Sequence, residues 1–294
     1  MTWNIQKLLV WGTQYLKNTE PPFPTARLDV ELLLAHTLSC ARIKLYTDYD
    51  RPLSKGELAS FKALFVRRLK QEPIAYILGE KDFMGMTFKV NPSVLIPRQE
   101  TELLVERATA HLKSLPSLEG KGPRLLEVGT GSGCIAIALA KAFPLAELEA
   151  WDISQQSLDL AQENAEAQGI SPQHLRFLYC DALAEESWLP LKAYDVFLSN
   201  PPYIALSESA SLSPSVLFEP KHALFAENEG LLFYERFARS ASQVLKENGR
   251  MFLEIGSTQA GKVSSLLQER GWTILNIYKD YSSHDRIVEC TFHD

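Results

Sequence analysis

The sequence has few cysteines and no long uninterrupted apolar run. Its four cysteines, Cys40, Cys134, Cys180 and Cys290, lie far apart and form neither a CxxC pair nor a Cys/His pattern with zinc spacing. We therefore expect reduced thiols, no metal site and a cytoplasmic protein. No stretch approaches the ~18 apolar residues of a membrane helix, and residues 1–7 lack the basic and apolar segments of a signal peptide. We expect no membrane partner.

Positive charge is scarce in most of the chain. The net charge is −6, with 11 Lys+Arg against 8 Asp+Glu in residues 1–80 and 19 against 28 in residues 81–294. An acidic surface is poorly suited to gripping a phosphate backbone, so we expect no direct nucleic-acid partner. The apolar and charged contents, 46% and 22%, are those of an ordinary globular protein of one large or two smaller domains.

Residues 1–80 show helical periodicity and no alternating strand pattern, which predicts a small helical domain. Ser54 and Glu57 have the spacing of a capping box, the mark of a helix start. Gly79 suits the left-handed turn that ends a helix. The predicted helices cover residues 5–17, a segment beginning near Thr25, residues 55–71 and residues 73–78.

Two predictions concern the side chains of this domain. In the second helix, Leu28, Leu32, Ala35 and Leu38 are expected to face the core. Arg67, Arg68 and Lys70 form a short basic cluster, which we interpret as a solvated helix face in preference to a partner contact.

From residue 81 the pattern changes. Residues 81–97 are predicted to form a hairpin that joins the two parts, and beyond it short apolar runs alternate with helical stretches, as in a parallel α/β sheet. Only six residues separate the last two strand-like segments, 273–280 and 286–292, so this pair must be antiparallel. The other predicted strands are 124–129, 147–153, 175–181, 194–200 and 249–256, and the helices lie near 132–143, 154–168, 230–246 and 259–270.

A glycine-rich loop joins the strand 124–129 to a helix. Glycines at such a position let backbone N–H groups and the helix start approach a ligand closely. The dinucleotide fingerprint would require a further glycine where Cys134 stands, so the loop is not of that type. The loop consists of Gly129, Thr130, Gly131, Ser132 and Gly133.

Acidic residues end the next two predicted strands. The Asp152 carboxylate could accept hydrogen bonds from both hydroxyls of a ribose, and Asp181 could place its neighbours along an adenine edge. Either carboxylate could instead cap the segment that follows it. Because ligands bind at the carboxyl ends of parallel strands, these strand ends together predict one binding rim.

The strand 194–200 ends in Asn200, Pro201, Pro202 and Tyr203. Two successive prolines make a stiff segment that offers only carbonyl acceptors. The Asn200 side-chain oxygen adds an acceptor and Tyr203 adds a flat ring, so the four residues could hold a planar –NH2 group. The same residue types also form ordinary strand-to-loop turns, and these four alone do not decide between the two.

Taken together, the motifs resemble those of the HemK/PrmC family, the peptide chain release factor glutamine N5-methyltransferases. The likeness extends over essentially the whole chain. The Asn-Pro-Pro-Tyr motif is shared with adenine methyltransferases, but its combination with the segment 96–102 and this domain order is specific. The chain departs from the family at Gln99, where proline is usual, and at Ala182, where a large side chain is common. The matching features are Ile96–Glu102, Glu127–Gly133, Asp152, Ser199–Ile204, Phe218–Pro220, Ala223–Ala226 and Gly230–Leu231.

The resemblance implies an α/β fold, that of the class I S-adenosylmethionine-dependent methyltransferases. This is a Rossmann-like seven-stranded sheet with an antiparallel last strand, preceded by a small all-α domain. The implied domains are a helical substrate-docking domain over residues 1–80, a hairpin linker over 81–97 and the methyltransferase domain over 98–294.

The resemblance also implies ligands. S-adenosylmethionine, which leaves as S-adenosylhomocysteine, would be bound by Gly129, Thr130, Gly131, Ser132, Gly133, Asp152, Asp181, Ala182 and Asn200. Release factors would be the partners, and the glutamine of their Gly-Gly-Gln motif would be bound by Asn200, Pro201, Pro202 and Tyr203. Of these, Asn200, Pro201 and Tyr203 would be catalytic. Phe83 would lie either near the cofactor or in the core.

Three alternatives remain open on the sequence. The first is a glutamine methyltransferase for a ribosomal protein, and the second is a nucleic-acid adenine N6-methyltransferase that clamps a flipped base. The third is a catalytically idle binding module that keeps the fold. The acidic residues 81–294 weigh against the second, and the intact glycine loop and Asp152 weigh against the third.

Overall fold

The computed structural model describes residues 2–115, 122–188 and 193–293, which divide into two compact units. The first unit contains the chain up to Gly79 together with the segment Pro214–Phe218. The second contains Glu80–Ser213 and the chain from Glu219 onward. The segment 214–218 was not part of the helical domain that we predicted from the sequence.

The first unit is helical, as its periodicity predicts. The Ser54–Glu57 capping box is confirmed, with Glu57 N–H donating to Ser54 Oγ at 3.2 Å and Ser54 N–H donating to Glu57 Oε2 at 2.8 Å. Gly79 ends the last helix at φ +79°, a left-handed conformation that favours glycine. The helices are α1 (Ile5–Lys17), α2 (Ala26–Thr37), α3 (Lys44–Thr47), α4 (Lys55–Leu69) and α5 (Ile74–Leu78).

The predicted inward face of α2 is correct for Ala35, which is buried, and wrong for Leu28. Leu28 is 38% exposed and Leu32 is only half-buried, whereas Leu33 and Leu34 are fully buried. The buried face also carries the carboxylate of Asp29. At Leu28 and Leu32, the buried face inferred from the spacing of apolar residues is therefore displaced by about one residue.

Arg68 is buried, so the interpretation of the basic cluster as a solvated face is wrong for this residue. Its Nε lies 2.8 Å from Asp29 Oδ2, and its Nη1 donates to Ser215 Oγ at 3.2 Å. Its guanidinium carbon stands 4.2 Å from the centre of the Phe23 ring, a cation–π contact. The other two members of the cluster are exposed.

The second unit begins with an antiparallel hairpin, β1 (Glu80–Phe83) and β2 (Met86–Lys89), which is followed by α6 (Gln99–Ser114). The main sheet contains β3 (Arg124–Val128), β4 (Glu147–Asp152), β5 (Leu175–Tyr179), β6 (Tyr194–Ser199), β9 (Leu245–Glu254), β10 (Trp272–Lys279) and β11 (Asp285–Phe292). A small parallel pair consists of β7 (Ile204–Ala205) and β8 (Phe225–Ala226). The remaining helices are α7 (Cys134–Ala142), α8 (Gln155–Ala167), α9 (Lys221–Leu224), α10 (Glu227–Gly230), α11 (Leu232–Val244) and α12 (Ala260–Gln268), with 3-10 turns at Glu185–Trp188, Leu206–Ser211 and Val216–Phe218.

The main sheet has seven strands in the order β10-β11-β9-β6-β3-β4-β5. β11 runs antiparallel to both of its neighbours, β9 and β10, while the pairs from β9 to β5 are parallel. The prediction of a parallel sheet closed by an antiparallel last strand is confirmed.

Both faces of the central strands β3 and β6 are covered, which explains the largely apolar runs of these two strands. Leu125 and Leu198 face a core formed with α6, α7 and α8. Leu126 and Phe197 face a second core formed with α11 and α12. Successive side chains of β3 point to opposite faces, so Leu125 and Leu126 are buried in different cores.

Candidate active site

The carboxyl ends of three parallel strands meet side by side. Val128, at the end of β3, pairs with Trp151 of β4 and with Ser199 of β6. The buried Ser199 hydroxyl also donates to the Val128 carbonyl at 2.7 Å. The residues that follow, Gly129 and Asn200, therefore leave the sheet together beside Asp152, as the sequence predicts.

A cavity opens at these strand ends. Asn200 and Pro202 are part of its described wall, while Pro201, Tyr203 and Phe83 are not. The walls bring the glycine loop and the strand ends together with two segments that the sequence reasoning did not assign to a ligand, 93–95 and 222–223. The lining residues are Ser93, Val94, Leu95, Pro97, Arg98, Thr101, Val128, Gly129, Thr130, Gly131, Ser132, Cys134, Ile135, Trp151, Asp152, Ile153, Ser157, Cys180, Asp181, Ala182, Leu183, Asn200, Pro202, His222, Ala223 and Phe233.

The glycine loop uses most of its own donors. The N–H groups of Gly129 and Thr130 both donate to the Trp151 carbonyl, at 2.8 and 3.0 Å, and Gly133 N–H donates to the Thr130 carbonyl at 2.9 Å. Gly131 N–H donates to Asp152 Oδ2 at 2.8 Å. A phosphate site needs several free N–H groups and no facing carboxylate, so this loop suits a ligand without phosphate.

Asp152 braces the loop and is not the cap of α8. Ser154 is that cap, since its hydroxyl accepts from Ser157 N–H at 3.2 Å. Asp152 Oδ1 accepts from Ser154 N–H at 2.9 Å, so each carboxylate oxygen has one backbone donor and keeps a lone pair for another. Burial raises the pKa of Asp152, while backbone hydrogen bonds from Gly131, Ser154 and Ile153 act in the opposite direction.

Asp181 and Ala182 lie just beyond β5. Asp181 Oδ1 accepts from Leu183 N–H at 2.8 Å. This local contact gives Asp181 a structural role in the turn. Ala182 is buried, and its methyl group leaves space in the wall. Leu183 and Ile153, the latter 48% exposed, supply apolar surface there that the sequence reasoning missed. The available signal was an apolar residue one or two positions after each strand-end Asp.

The Asn200 side chain is held from one side only. Its Nδ2 donates to Thr101 Oγ1 at 3.1 Å, and no described residue donates to its Oδ1. Burial raises the pKa of the Glu254 side chain to about 7, and Thr101 acts in the opposite direction. Sequence reasoning missed Thr101 as a partner of Asn200, although it belongs to the segment 96–102 that carries the family resemblance.

Tyr203 is held through its backbone. Its carbonyl accepts from Gln259 Nε2 at 3.0 Å, and Gln259 Oε1 accepts from Gly256 N–H at 2.9 Å. Gly230, at φ +80°, comes so close that a Cβ there would lie 2.1 Å from the Tyr203 oxygen. Burial raises the pKa of the Tyr203 phenol to about 12, which keeps it neutral.

Two buried carboxylates fix the surrounding loops. Glu219 accepts from Ile96 N–H at 2.9 Å and pairs with the Arg98 guanidinium at the edge of the cavity. Glu127 Oε2 accepts from the Thr130 hydroxyl at 2.8 Å and from Ala136 N–H at 3.1 Å. Burial raises the pKa of Glu127 to about 7. These hydrogen bonds hold the segment before α6 and the glycine loop in place.

Comparison with known proteins identifies the family. Residues 7–79 match the family model "PrmC N-terminal domain", and residues 101–233 match "Methyltransferase small domain". The release factor glutamine methyltransferase of Chlorobaculum tepidum is 38% identical over 290 residues, 98% of this chain and 97% of that protein. The chain belongs to the release factor glutamine methyltransferase family. The Geobacter sulfurreducens member is 37% identical over 97% of this chain and 96% of that protein.

Solved structures show the same fold. The hMettl16 catalytic domain, crystallised with an RNA hairpin, gives a TM-score of 0.55 at 18% identity and covers 75% of this chain and 80% of that one. A methyltransferase from Pyrococcus furiosus gives 0.50 at 17% identity, covering 78% and 98%. The fold is that of class I methyltransferases, and this family member is an S-adenosylmethionine-dependent enzyme.

The cavity suits that cofactor. Its glycine loop has few free donors for a phosphate, its carboxylate can accept from a ribose, and its wall near residues 153 and 183 is apolar. Within the described ranges no three His, Cys, Asp or Glu side chains gather as a metal site would require. Over the same ranges, no helix combines the length and apolar character needed to cross a bilayer.

Proposed function

We propose that this enzyme methylates the N5 amide nitrogen of the glutamine in the Gly-Gly-Gln motif of peptide chain release factors. Family membership along almost the full chain supports this substrate. The observation that carries the chemistry is the Asn200 side chain at the cavity wall, with its Nδ2 bound to Thr101 and its Oδ1 free of described donors. A free acceptor in a fixed place is what a planar –NH2 group requires.

The bound cofactor supplies an electrophilic methyl group on a sulfonium sulfur. An amide nitrogen is a poor nucleophile because its lone pair is delocalised into the carbonyl, so the protein must orient it. Asn200 Oδ1 and the Pro201 carbonyl each accept one N–H of the substrate amide, and the neutral Tyr203 ring stacks against its plane. Orientation of this kind contributes up to roughly 7–11 kcal/mol in ideal cases.

These acceptors also favour the transition state. As the nitrogen forms its new bond it gains positive charge, and the hydrogen bonds to Asn200 and Pro201 strengthen. We assign no general base, because methylation makes the N–H more acidic and water then takes the proton. The buried side chain of Pro201 keeps the carbonyl in place.

For the cofactor, we propose that residues 129–133 border its amino-acid portion and that Asp152 accepts from its ribose. The apolar side chains of Ile153 and Leu183, with Ala182 between the strand end and Leu183, border the adenine. Asp181 contributes by holding Leu183 in place. Asn200, which lies next to the glycine loop, is close to both ligands.

A mass-spectrometric assay tests the proposal. The enzyme is incubated with S-adenosylmethionine and one substrate at a time: release factor, ribosomal protein, DNA or RNA. We expect a single methyl group on the Gly-Gly-Gln glutamine and none elsewhere. The Asn200→Ala variant should bind the cofactor normally but lose at least roughly 10²-fold in kcat, the scale for removing one transition-state hydrogen bond. Methylation of another substrate in preference to release factor would overturn the assignment.

Three further expectations from the sequence remain proposals. We propose that the helical unit up to Gly79 docks the release factor, that no nucleic acid or membrane takes part directly, and that the reaction occurs in the cytoplasm. The excess of acidic residues in 81–294 supports the absence of a nucleic-acid partner, because such a surface repels a phosphate backbone. Crosslinking of release factor to the full chain, mapped by peptide, tests the docking role.

A further inference from the structure

One buried face of α8 carries polar side chains. Ser157, Ala161 and Asn164 follow one another at spacings of four and three residues, so they lie on the same face of the helix. None of the three is more than 2% exposed. An amphipathic helix normally buries apolar side chains at such positions. Because buried polar groups are hydrogen-bonded, the partners of the serine and the asparagine show what this face holds.

Asn164 uses its whole side-chain amide. Its Oδ1 accepts from Lys89 N–H at 2.8 Å, and its Nδ2 donates to the Lys89 carbonyl at 3.0 Å and to the Ser132 carbonyl at 2.9 Å. Both N–H bonds of the amide are thus occupied, which fixes its orientation. Lys89 ends β2, and Ser132 belongs to the glycine loop. A single buried side chain therefore joins the hairpin to the loop.

Ser157 and Ala161 add contacts of the same kind. The Ser157 hydroxyl donates to the Ser93 carbonyl at 3.1 Å. Ala161 packs so closely against the glycine loop that a Cβ on Gly133 would lie 3.1 Å from the Ala161 Cβ. Ser93 and the glycine loop both line the cavity, whereas Asn164 is not part of its described wall. Asn164 thus acts on two parts of the wall from outside it.

We propose that Asn164 is a positioning residue for cofactor binding, because it holds the segment 89–95 and the glycine loop in the arrangement that S-adenosylmethionine requires. The inference rests on the cofactor placement proposed above, with residues 129–133 beside the amino-acid portion. Asn164 itself contacts neither the cofactor nor the reacting atoms. Ser157 supports the same segment with a single hydrogen bond.

A wall that is held in advance lowers the cost of binding. Between β2 and α6 the chain has no regular secondary structure, so side-chain contacts must keep it in place. Glu219 fixes its far end by accepting from Ile96 N–H at 2.9 Å. Asn164 and Ser157 fix its beginning and its middle. Without the Asn164 bonds, the cofactor would have to order this segment as it binds, and the entropy cost would lower its affinity.

The first test is calorimetric titration of the full chain with S-adenosylmethionine. Asn164→Ala removes three hydrogen bonds and should raise the Kd at least roughly tenfold, and Ser157→Ala removes one and should raise it a few-fold. None of these bonds involves the segment 200–203, so kcat at saturating cofactor should stay within a few-fold of wild type.

Thr291→Val is the matched control for these variants. This fully buried threonine also donates one hydrogen bond to a backbone carbonyl, that of Gly249 at 3.0 Å, and it lies outside the described cavity wall. Its Kd should equal that of wild type.

Hydrogen exchange gives a second readout that needs no activity. In wild type without cofactor, the bonded Lys89 N–H should exchange slowly. In Asn164→Ala without cofactor, the peptide that contains residues 89–95 should exchange faster, while in Thr291→Val it should match wild type.

The outcomes separate positioning from simple loss of stability. A wild-type Kd in Asn164→Ala overturns the inference. A smaller number of binding sites at unchanged Kd also overturns it, because that result means less folded protein and an intact site. Should Asn164→Ala not fold, Ser157→Ala decides alone, and an unchanged Kd in that variant refutes the positioning role.

Asp152→Ala separates this inference from the cofactor placement. If Asp152→Ala weakens binding and Asn164→Ala does not, the placement stands and the role of Asn164 fails. If neither variant weakens binding, the placement itself is wrong.

Discussion

Gly230 lies directly against the carbonyl of Tyr203, and an alanine there should lower kcat while the cofactor still binds. A Cβ at this position would lie 2.1 Å from the Tyr203 oxygen and 2.9 Å from Gln259 Nε2, the atom that holds the same carbonyl. The hydrogen bond between these two atoms helps to hold the Asn-Pro-Pro-Tyr segment in place. The substitution therefore moves the backbone that carries the proposed amide clamp.

The size of the effect follows from the distances. Ordinary contact with a Cβ begins near 3.4 Å, so the Tyr203 backbone has to retreat by about 1 Å. A displacement of that size at reacting groups can lower the rate by roughly 10²-fold. Separately, the backbone of Gly230 has φ +80°, where alanine costs about 1–2 kcal/mol of folding free energy.

Steady-state methylation of release factor measures kcat and KM, calorimetry measures cofactor affinity and chemical denaturation measures stability. Gly169→Ala is the matched control, because Gly169 has φ +72° and no atom within 4 Å of its Cβ position. It should lose similar stability and keep its kcat. If Gly230→Ala loses folding free energy as expected but keeps wild-type kcat, the position of the Tyr203 carbonyl does not matter for turnover.

Three other perturbations have expected outcomes. Asp152→Ala should weaken cofactor binding by about 1–3 kcal/mol in calorimetry, the scale for hydrogen bonds to a charged group, and an unchanged Kd would leave Asp152 only its brace on the loop. Arg68→Ala should destabilise the protein by roughly 3–5 kcal/mol in denaturant because it strands the buried Asp29 carboxylate, whereas the exposed Arg67→Ala should change little. Glu127 keeps its proton in the folded state up to about pH 7 and in the unfolded state only to about 4.5, so stability falls as pH rises between these values. Glu127→Gln lacks this loss, and its stability relative to wild type should rise by up to about 3 kcal/mol from pH 5 to pH 8; a constant difference would contradict the buried-proton assignment.

The sheet and the binding rim could be predicted from local patterns. The strands β3, β4 and β6 are largely buried on both faces, whereas the edge strand β5 is more exposed. Turn residues flank each of the four runs, and predicted limits differ from observed ones by one or two residues. Strand ends on one edge of a parallel sheet meet necessarily, so Gly129, Asp152 and Asn200 could be grouped before any distance was known.

The supports of the site could not be predicted, because their partners are distant in sequence. Thr101 lies 99 residues from Asn200, and Gln259 lies 56 residues from Tyr203, whose carbonyl it holds. Neither pair leaves a periodic signal. The left-handed turn that ends at Gly230 includes two non-glycine residues with positive φ, which propensity alone would not place there.

The position of β11 has a consequence for synthesis of the chain on the ribosome. This strand is made after β9 and β10, yet it is placed between them and provides the antiparallel partners of Glu254 and its neighbours. A nascent chain that stops before Asp285 would leave β9 with an open edge and β10 detached from the sheet. Because β9 ends beside the site, a truncated chain would lack an ordered site. It would also expose the unpaired backbone N–H and C=O groups of β9, which can pair with another chain. Folding to an active enzyme thus requires translation of the chain through β11.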